Sequence, residues 1–171
     1  MKADRVRKVA DLANRRTRER FGRFLIEGPQ SVREAVTWMP DAVRDLYVQA
    51  VDGPDGPRIA GETLASIVER SQEHRIYVHP ASEAVMRRIS PDCQGIAAVG
   101  DADAVRATAQ GTQLPEKPFV AAFWQVRDPG NAGTVIRAAD AAGCAAVVFV
   151  DECVDMFNPK VIRATAGSLF H

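Results

Sequence analysis

The stretch FVAAFWQVRDPGNAGTVIRAADAAG, residues 119–143, decides the fold of the C-terminal part of the chain. Residues 119–124 are nearly all apolar, as in a strand that is covered on both faces. A turn containing Pro and Gly follows, and small and apolar residues then predict a helix to about residue 142, with Gly143 as its C-terminal cap. A second apolar run at 145–150 completes a strand–helix–strand unit, which requires parallel strands and a right-handed crossover.

The sequence before this stretch also alternates between helical and extended patterns. Residues 51–61 are rich in Gly and Pro and predict a loop, and the polar residues 101–117 predict an interdomain linker with a helical turn at 102–109. We therefore predict an α/β fold with a first domain at 1–100 and a second unit that begins at 118. The expected helices are 4–14, 29–38, 62–72 and 82–88, and the expected strands are 23–26, 46–48, 75–78 and 94–99.

Two helix starts are marked by capping residues. Ser82 can cap the helix that runs through Arg88, and Asn158 can cap a helix that has Pro159 at its first position.

Composition excludes several classes of protein. The 171 residues are 46% hydrophobic, which is too apolar for a disordered chain, yet no run of about 18 apolar residues predicts a membrane span. The first residues lack the apolar core of a signal peptide, and the three cysteines are unclustered. We expect a cytoplasmic protein with reduced thiols, no membrane association and no metal, because His74 and His79 have no third ligand at a suitable spacing.

The net charge of zero conceals an uneven distribution along the chain. Residues 1–23 contain nine basic and three acidic residues, a net charge of +6, which residues 24–171 balance with −6. A cluster of arginines can bind RNA phosphates, although a solvated helix face would have the same pattern. The candidate RNA-binding residues are Arg15, Arg16, Arg18, Arg20 and Arg23.

The segment Asp128–Arg137 follows a predicted strand, at the edge where ligands bind in open α/β sheets. Its glycines match neither a dinucleotide fingerprint nor a phosphate-binding loop. Arg137 lies in an otherwise small and apolar helix, so its side chain must reach a helix end, a cavity or a partner, or pair with Asp140 three residues later. Asn131 could equally be the helix cap.

The residues 126–143 resemble the first motif of the SpoU (TrmH-type) RNA ribose methyltransferases, a SPOUT-class family. The block VDMFNPKVIRATAGSLF, residues 154–170, agrees with that resemblance. Residues 24–29, FLIEGP, are similar to the opening of the ribosomal-protein-like substrate-binding domain of the family. In that segment we expect Glu27 to be structural and to pair with a nearby Arg or accept backbone N–H groups.

This resemblance implies S-adenosylmethionine-dependent 2′-O-methylation of RNA, most of all 23S ribosomal RNA, by a homodimer. Asn131 and Arg137 match the Asn and Arg of the first motif and are the predicted catalytic residues. Arg137 would orient the target phosphate and stabilise the developing oxyanion, because a guanidinium is an unlikely base.

Family members continue beyond the position of Phe170 into a trefoil knot that forms most of the cofactor pocket. We therefore expect a fragment without cofactor-binding residues, whose parallel strands leave an apolar face and edge exposed. The alternatives are a non-catalytic RNA-binding module and a transfer RNA ribose methyltransferase; the glycine pattern disfavours an oxidoreductase. At the end of the first strand of the second unit, Trp124 is expected to be core rather than a base-stacking platform.

Overall fold

The computed structural model describes residues 3–53 and 56–171, so Met1, Lys2, Pro54 and Asp55 lie outside the described residues. Helices and strands alternate, which confirms the α/β class. The helices are α1 Ala3–Ala10, α2 Arg15–Phe21, α3 Pro29–Trp38, α4 Glu62–Glu73, α5 Glu83–Ile89, α6 Ala102–Gly111, α7 Pro129–Ala141 and α8 Pro159–Thr165. The strands are β1 Arg23–Glu27, β2 Val43–Gly53, β3 Gly56–Ile59, β4 Tyr77–Ala81, β5 Ile96–Asp101, β6 Val120–Trp124 and β7 Ala146–Val150.

The first sheet is built around β2 and β5. These two strands are antiparallel, β1 pairs antiparallel with the other side of β5, and β4 pairs parallel with β2. Because β4 has a partner on one side only among the described strands, it forms an edge of this sheet. The far end of β2 continues into an antiparallel hairpin with β3.

Strands β1 and β5 of this sheet are buried on both faces. Phe24 and Ile26 of β1 point into one apolar cluster with residues of α3 and α4, while Leu25 points into a second cluster with residues of α1 and α5. This alternation follows from the two-residue period of a strand. The first domain is therefore a sheet covered by helices on both sides.

The second sheet confirms the predicted parallel pair. Val120–Trp124 pairs in parallel with Ala146–Val150, and α7 is the crossover between them. Both strands are partly exposed along their length, with every second residue open to solvent. An apolar face is therefore exposed on this sheet in the described chain, as the sequence predicted.

The C-terminal segment completes the core of the first domain. Phe157, Ile162 and Phe170 are buried in the same apolar cluster as Phe24 and Ile26. The rings of Phe24 and Phe157 lie 4.7 Å apart. Residues that the sequence assigned to a separate second unit are thus packed against the first sheet.

Two predictions about local structure need correction. The region 51–61 was expected to be a loop, but Val51–Gly53 and Gly56–Ile59 are paired strands of the β2–β3 hairpin. Gly53, Gly56 and Pro57, which contributed to the loop prediction, lie at the ends of the two paired strands, where such residues are common in hairpins. Ser82 does occupy the N-cap position of α5, but its side chain makes no capping hydrogen bond.

Gly133 sets how closely α7 and α8 approach each other. A Cβ atom at this position would lie 2.4 Å from the Cβ of Ala164 and 2.7 Å from the carbonyl oxygen of Val161. Neither neighbour is the flexible end of a long side chain, so a larger residue would separate the two helices.

We therefore expect Gly133→Ala to lower the free energy of unfolding by about 1–3 kcal/mol. Chemical denaturation of residues 1–171 would measure the change. Gly111→Ala is the matched control, because a Cβ there would contact nothing within 4 Å. Equal stability of the two variants would contradict the assigned role of Gly133.

Candidate functional site

The carboxyl ends of β6 and β7 meet at a strained edge of the second sheet. Gln125 and Asp151, the residues directly after the two strands, have φ angles of +51° and +67°. The Gln125 side-chain amide donates a hydrogen bond to the Asp151 carboxylate at 2.6 Å, which lowers the pKa of Asp151. Left-handed backbone at non-glycine residues concentrates at functional sites, so this edge is a candidate.

Helix α7 begins at this edge and is capped by Asp128. The Asp128 carboxylate accepts a hydrogen bond from the backbone N–H of Asn131 at 2.8 Å, and Pro129 occupies the first helical position. The N-cap of α7 is therefore Asp128, and the alternative prediction that Asn131 is the helix cap is wrong. An open groove of about 360 Å³ lies beside the helix start, lined by Gln125, Val126, Arg127, Asp128, Asn131, Thr134 and Val135.

Asn131 and Arg137 both have exposed side chains with no hydrogen bond or ion pair to any residue in 3–53 or 56–171. Helix geometry places Arg137 about 9 Å further along the axis and about 120° around it. Asn131 lines the groove and Arg137 does not. The structure thus puts the two residues on the outer side of one helix without bringing their side chains together.

The alternative role for Arg137, an ion pair with Asp140, is not formed. Asp140 instead lies 2.8 Å from Nδ1 of His171. Trp124 was predicted to be core, and this is wrong for the described chain, because its side chain is 69% exposed at the end of β6.

Among the basic residues near the N-terminus, Arg18 is buried rather than available to RNA. Its side chain is 5% exposed, and its Nε and Nη2 atoms lie 3.0 and 2.7 Å from Oδ2 of Asp155. Its Nη1 donates to the backbone carbonyls of Leu12 and Ala13. The candidate RNA-binding set therefore loses Arg18, because all of its donor nitrogens are used inside the protein.

This buried ion pair connects the arginine-rich helix α2 to the candidate groove. Asp155 belongs to the segment that follows β7, and the N–H of Val154 in that segment donates to the carbonyl of Val126 at 2.9 Å. Val126 lines the groove. Helix α2 is consequently fixed beside the same end of the second sheet as Asn131.

The other four arginines remain at the surface to different degrees. Arg15 pairs with Glu19 at 2.7 Å, and the Arg20 guanidinium lies 5.2 Å from the centre of the Phe21 ring. Arg16 is exposed and has no ion pair among the described residues. Arg23 is only 35% exposed and pairs with Asp101 at 2.6 Å.

Asp101 is a structural carboxylate at the start of α6. Burial by itself would raise its pKa, but hydrogen bonds from Arg44, the N–H of Ala104 and Arg23 outweigh burial and lower the pKa to about 2. Arg23 therefore contributes to holding α6 against the first domain, and its availability to RNA is reduced.

A second ion-pair cluster joins α8 to the first domain. Nη1 of Arg163 lies 2.8 Å from the buried Glu27 and 2.9 Å from Asp92. The prediction that Glu27 pairs with a nearby arginine is confirmed. Sequence reasoning did not identify Arg163, because its partners lie 71 and 136 residues away along the chain.

The part of the chain that the structure describes holds no group of three or more His, Cys, Asp or Glu side chains arranged to bind a metal ion. Within the same residues, no helix is both long enough and apolar enough to cross a membrane.

Comparison with known proteins assigns the two halves of the chain. Residues 118–171, which include α7 and the groove, match the SpoU rRNA methylase family, and residues 3–98 match the MRM3-like substrate binding domain. The chain belongs to the family of the MRM3-like substrate binding domain, and its C-terminal residues 118–171 match the SpoU rRNA methylase model. The resemblance seen in the sequence is thereby confirmed.

Relatives extend this similarity over the whole chain. It is 34% identical, over 99% of its length, to the 23S rRNA (guanosine(2553)-2′-O)-methyltransferase RlmP of Bacillus subtilis (strain 168), and covers 60% of that protein. It is 44% identical over 69 residues to rRNA methyltransferase 3, mitochondrial, of Homo sapiens; these residues are 40% of this chain and 16% of the human protein.

Solved structures agree with the fold. The SpoU methyltransferase AviRb from Streptomyces viridochromogenes, in complex with AdoMet, superposes with a TM-score of 0.75 at 25% identity, over 99% of this chain and 61% of that one. An AdoMet-bound rRNA methyltransferase from Sinorhizobium meliloti superposes with a TM-score of 0.72 at 25% identity, over 98% of this chain and 59% of that one. The chain spans about three fifths of the length of the B. subtilis relative and of both structures.

We expect Arg18→Ala to lower the free energy of unfolding by about 3 kcal/mol, because it leaves Asp155 with an uncompensated charge at a largely buried position. Asp155→Ala should have a similar cost, and the double variant should cost less than the sum of the two single variants. Urea denaturation of the four proteins measures this coupling.

The matched control is Arg16→Ala, on the same helix but exposed, whose effect should stay within about 0.5 kcal/mol. If Arg18→Ala were as stable as Arg16→Ala, or if the two single effects were additive, the ion pair would not have the role assigned to it.

Proposed function

We propose that this protein methylates ribose 2′-hydroxyl groups of ribosomal RNA with S-adenosylmethionine as the methyl donor. The observation that carries the proposal is the exposed Arg137, which has no ion pair with any described residue. It lies on a helix whose other residues are mostly small or apolar, in the segment that matches the SpoU family. The names of the B. subtilis and human relatives support a ribosomal RNA substrate.

The attacking oxygen of the ribose has to be activated for this reaction. A ribose hydroxyl is a weak nucleophile near neutral pH, so its proton must be removed or its developing charge stabilised. Arginine guanidinium groups remain protonated in proteins, and their planar fork binds phosphate through two hydrogen bonds. We assign Arg137 to orienting the target phosphate and stabilising the developing oxyanion while a separate base accepts the hydroxyl proton, and Asn131 to positioning the nucleotide at the groove.

S-adenosylmethionine supplies an electrophilic methyl group in this proposal. The AviRb and S. meliloti structures support the choice of cofactor, since both contain bound AdoMet. The groove beside α7 is open to solvent, and the described residues do not enclose a cofactor-sized pocket there. We therefore assign no cofactor-binding residue to this chain, and Asn131 and Arg137 are assigned to the RNA.

The RNA-binding surface in this proposal is the exposed face of α2. Arg15, Arg16 and Arg20 are exposed there, and the Arg18–Asp155 pair holds their helix beside the groove end of the second sheet. Phosphate contacts of this kind position a nucleic acid without reading its sequence. Action in the cytoplasm and as a homodimer are further parts of the proposal, and both rest on the family resemblance.

The test is methyl transfer from radiolabelled S-adenosylmethionine to ribosomal RNA by the complete protein. We expect Arg137→Ala to lower kcat about 100-fold or more, because one charge-stabilising donor is removed, and Asn131→Ala to raise KM for RNA. Arg88→Ala is the control, since Arg88 is an exposed arginine on α5 without an ion pair among the described residues. Methylation by Arg137→Ala at the rate of Arg88→Ala would contradict the proposal.

A further inference from the structure

A second groove lies in the first domain, between the start of α1 and the edge strand β4. It has a volume of about 550 Å³ and is larger than the groove beside α7. Its walls combine basic and aromatic side chains, and the lining residues are Asp4, Arg5, Lys8, Tyr77, Val78, His79 and Pro80.

The aromatic wall of this groove is held rigidly. His79 is buried, its Nε2 lies 2.7 Å from Oδ1 of Asp45, and its ring stacks on Tyr47 at 4.7 Å with an interplanar angle of 17°. The ring of Tyr77 lies 4.5 Å from the His79 ring. Tyr77 therefore has a fixed aromatic neighbour on one side.

The other side of Tyr77 is open. Tyr77, His79 and Ala81 share one face of β4, and α1 and α5 cover this face only over His79 and Ala81, so that Tyr77 is 66% exposed. Its hydroxyl forms no hydrogen bond within residues 3–53 and 56–171. The Tyr77 and His79 rings are tilted by 54° to each other, so His79 holds Tyr77 from one side and leaves its ring open. An aromatic ring held in this way is a platform on which another ring can stack.

The rim of the groove is basic. Arg5 and Lys8 line it and Arg7 lies beside them on α1, against the single acid Asp4 on this helix. Asp4 pairs with Arg7 at 2.7 Å and with Lys8 at 3.2 Å, and all three side chains are more than half exposed. Exposed pairs of this kind contribute little free energy, so Lys8 can exchange Asp4 for an RNA phosphate at small cost.

We propose that this groove binds an unpaired nucleotide of the RNA, with its base stacked on Tyr77 and its phosphates paired with Arg5 and Lys8. The inference rests on the proposed function, since it takes RNA as the substrate, and adds a contact away from α7. A single-stranded nucleotide fits because its base is free to leave its neighbours, whereas the bases of a duplex are stacked and offer no free face. The combination of a π-face and cations is typical of proteins that bind single strands.

The test measures binding of residues 1–171 to two fluorescein-labelled probes by anisotropy: a 12-nucleotide oligoadenosine and a 12-base-pair RNA duplex. We expect Tyr77→Ala to weaken binding of the single strand about fivefold or more and to leave binding of the duplex unchanged. Tyr77→Phe is the matched control and should bind as the wild type does, because stacking needs the ring and not the hydroxyl. A 2-aminopurine within the single strand should lose fluorescence on binding to the wild type and to Tyr77→Phe, but not to Tyr77→Ala.

Equal binding of the single strand by wild type and Tyr77→Ala would overturn the proposed subsite while leaving the proposed function intact. The same holds if Tyr77→Ala lost the same amount of affinity for the single strand and for the duplex. If polyglutamate displaced the labelled single strand as effectively as unlabelled oligoadenosine does, the proposed subsite would also be overturned, because the groove would then bind an acidic peptide equally well. If the wild type bound neither probe, the RNA-binding part of the proposed function would fail together with this inference. Thermal unfolding of each variant shows whether its fold is kept.

Discussion

The buried ion pair between Arg18 and Asp155 joins two parts of the chain that are 137 residues apart. Every donor nitrogen of the Arg18 side chain is hydrogen-bonded inside the protein, either to the Asp155 carboxylate or to the backbone carbonyls of Leu12 and Ala13. Such a pair costs free energy to desolvate and is stable only when its hydrogen bonds are complete, so its geometry is demanding. Around it, Phe157 and Ile162 join the apolar core of the first domain, and Arg163 reaches Glu27. These contacts make the substrate-binding domain and the segment after β7 one packed body.

The arginines of the basic N-terminal region fall into a buried, structural group and an exposed group. Arg18 is structural and Arg23 largely so, whereas Arg15, Arg16 and Arg20 keep their side chains in solvent on a helix whose orientation the buried pair fixes. An arginine on a mobile tail would bind RNA without directing it. In the proposed function, arginines on a helix anchored next to the groove instead present the RNA to helix α7 in a defined register.

Sequence reasoning succeeded where the determining contacts are local. Asn158 caps α8 with Pro159 at the first position, and the apolar runs around 120 and 148 form the parallel pair. The capping role of Asp128 was missed although the same signal, an Asp or Asn followed by Pro, was present. Nothing in the sequence distinguishes Arg18 from the arginines beside it, because what buries it is a partner far along the chain. Trp124 was placed in the core because its apolar neighbours suggested a strand covered on both faces, and the described chain leaves that face open.

The claim that the two parts form one cooperative body can be tested directly with the two tryptophans. Trp38 lies on α3 of the first domain and Trp124 at the end of β6, so the variants Trp38→Phe and Trp124→Phe each leave one reporter in one part. Urea unfolding of both variants, followed by tryptophan fluorescence, should give transitions with the same denaturant dependence as the circular dichroism of the same sample. Separate transitions at the two reporters would show that the second sheet unfolds independently, and would contradict the fixed relation between the arginine helix and the groove.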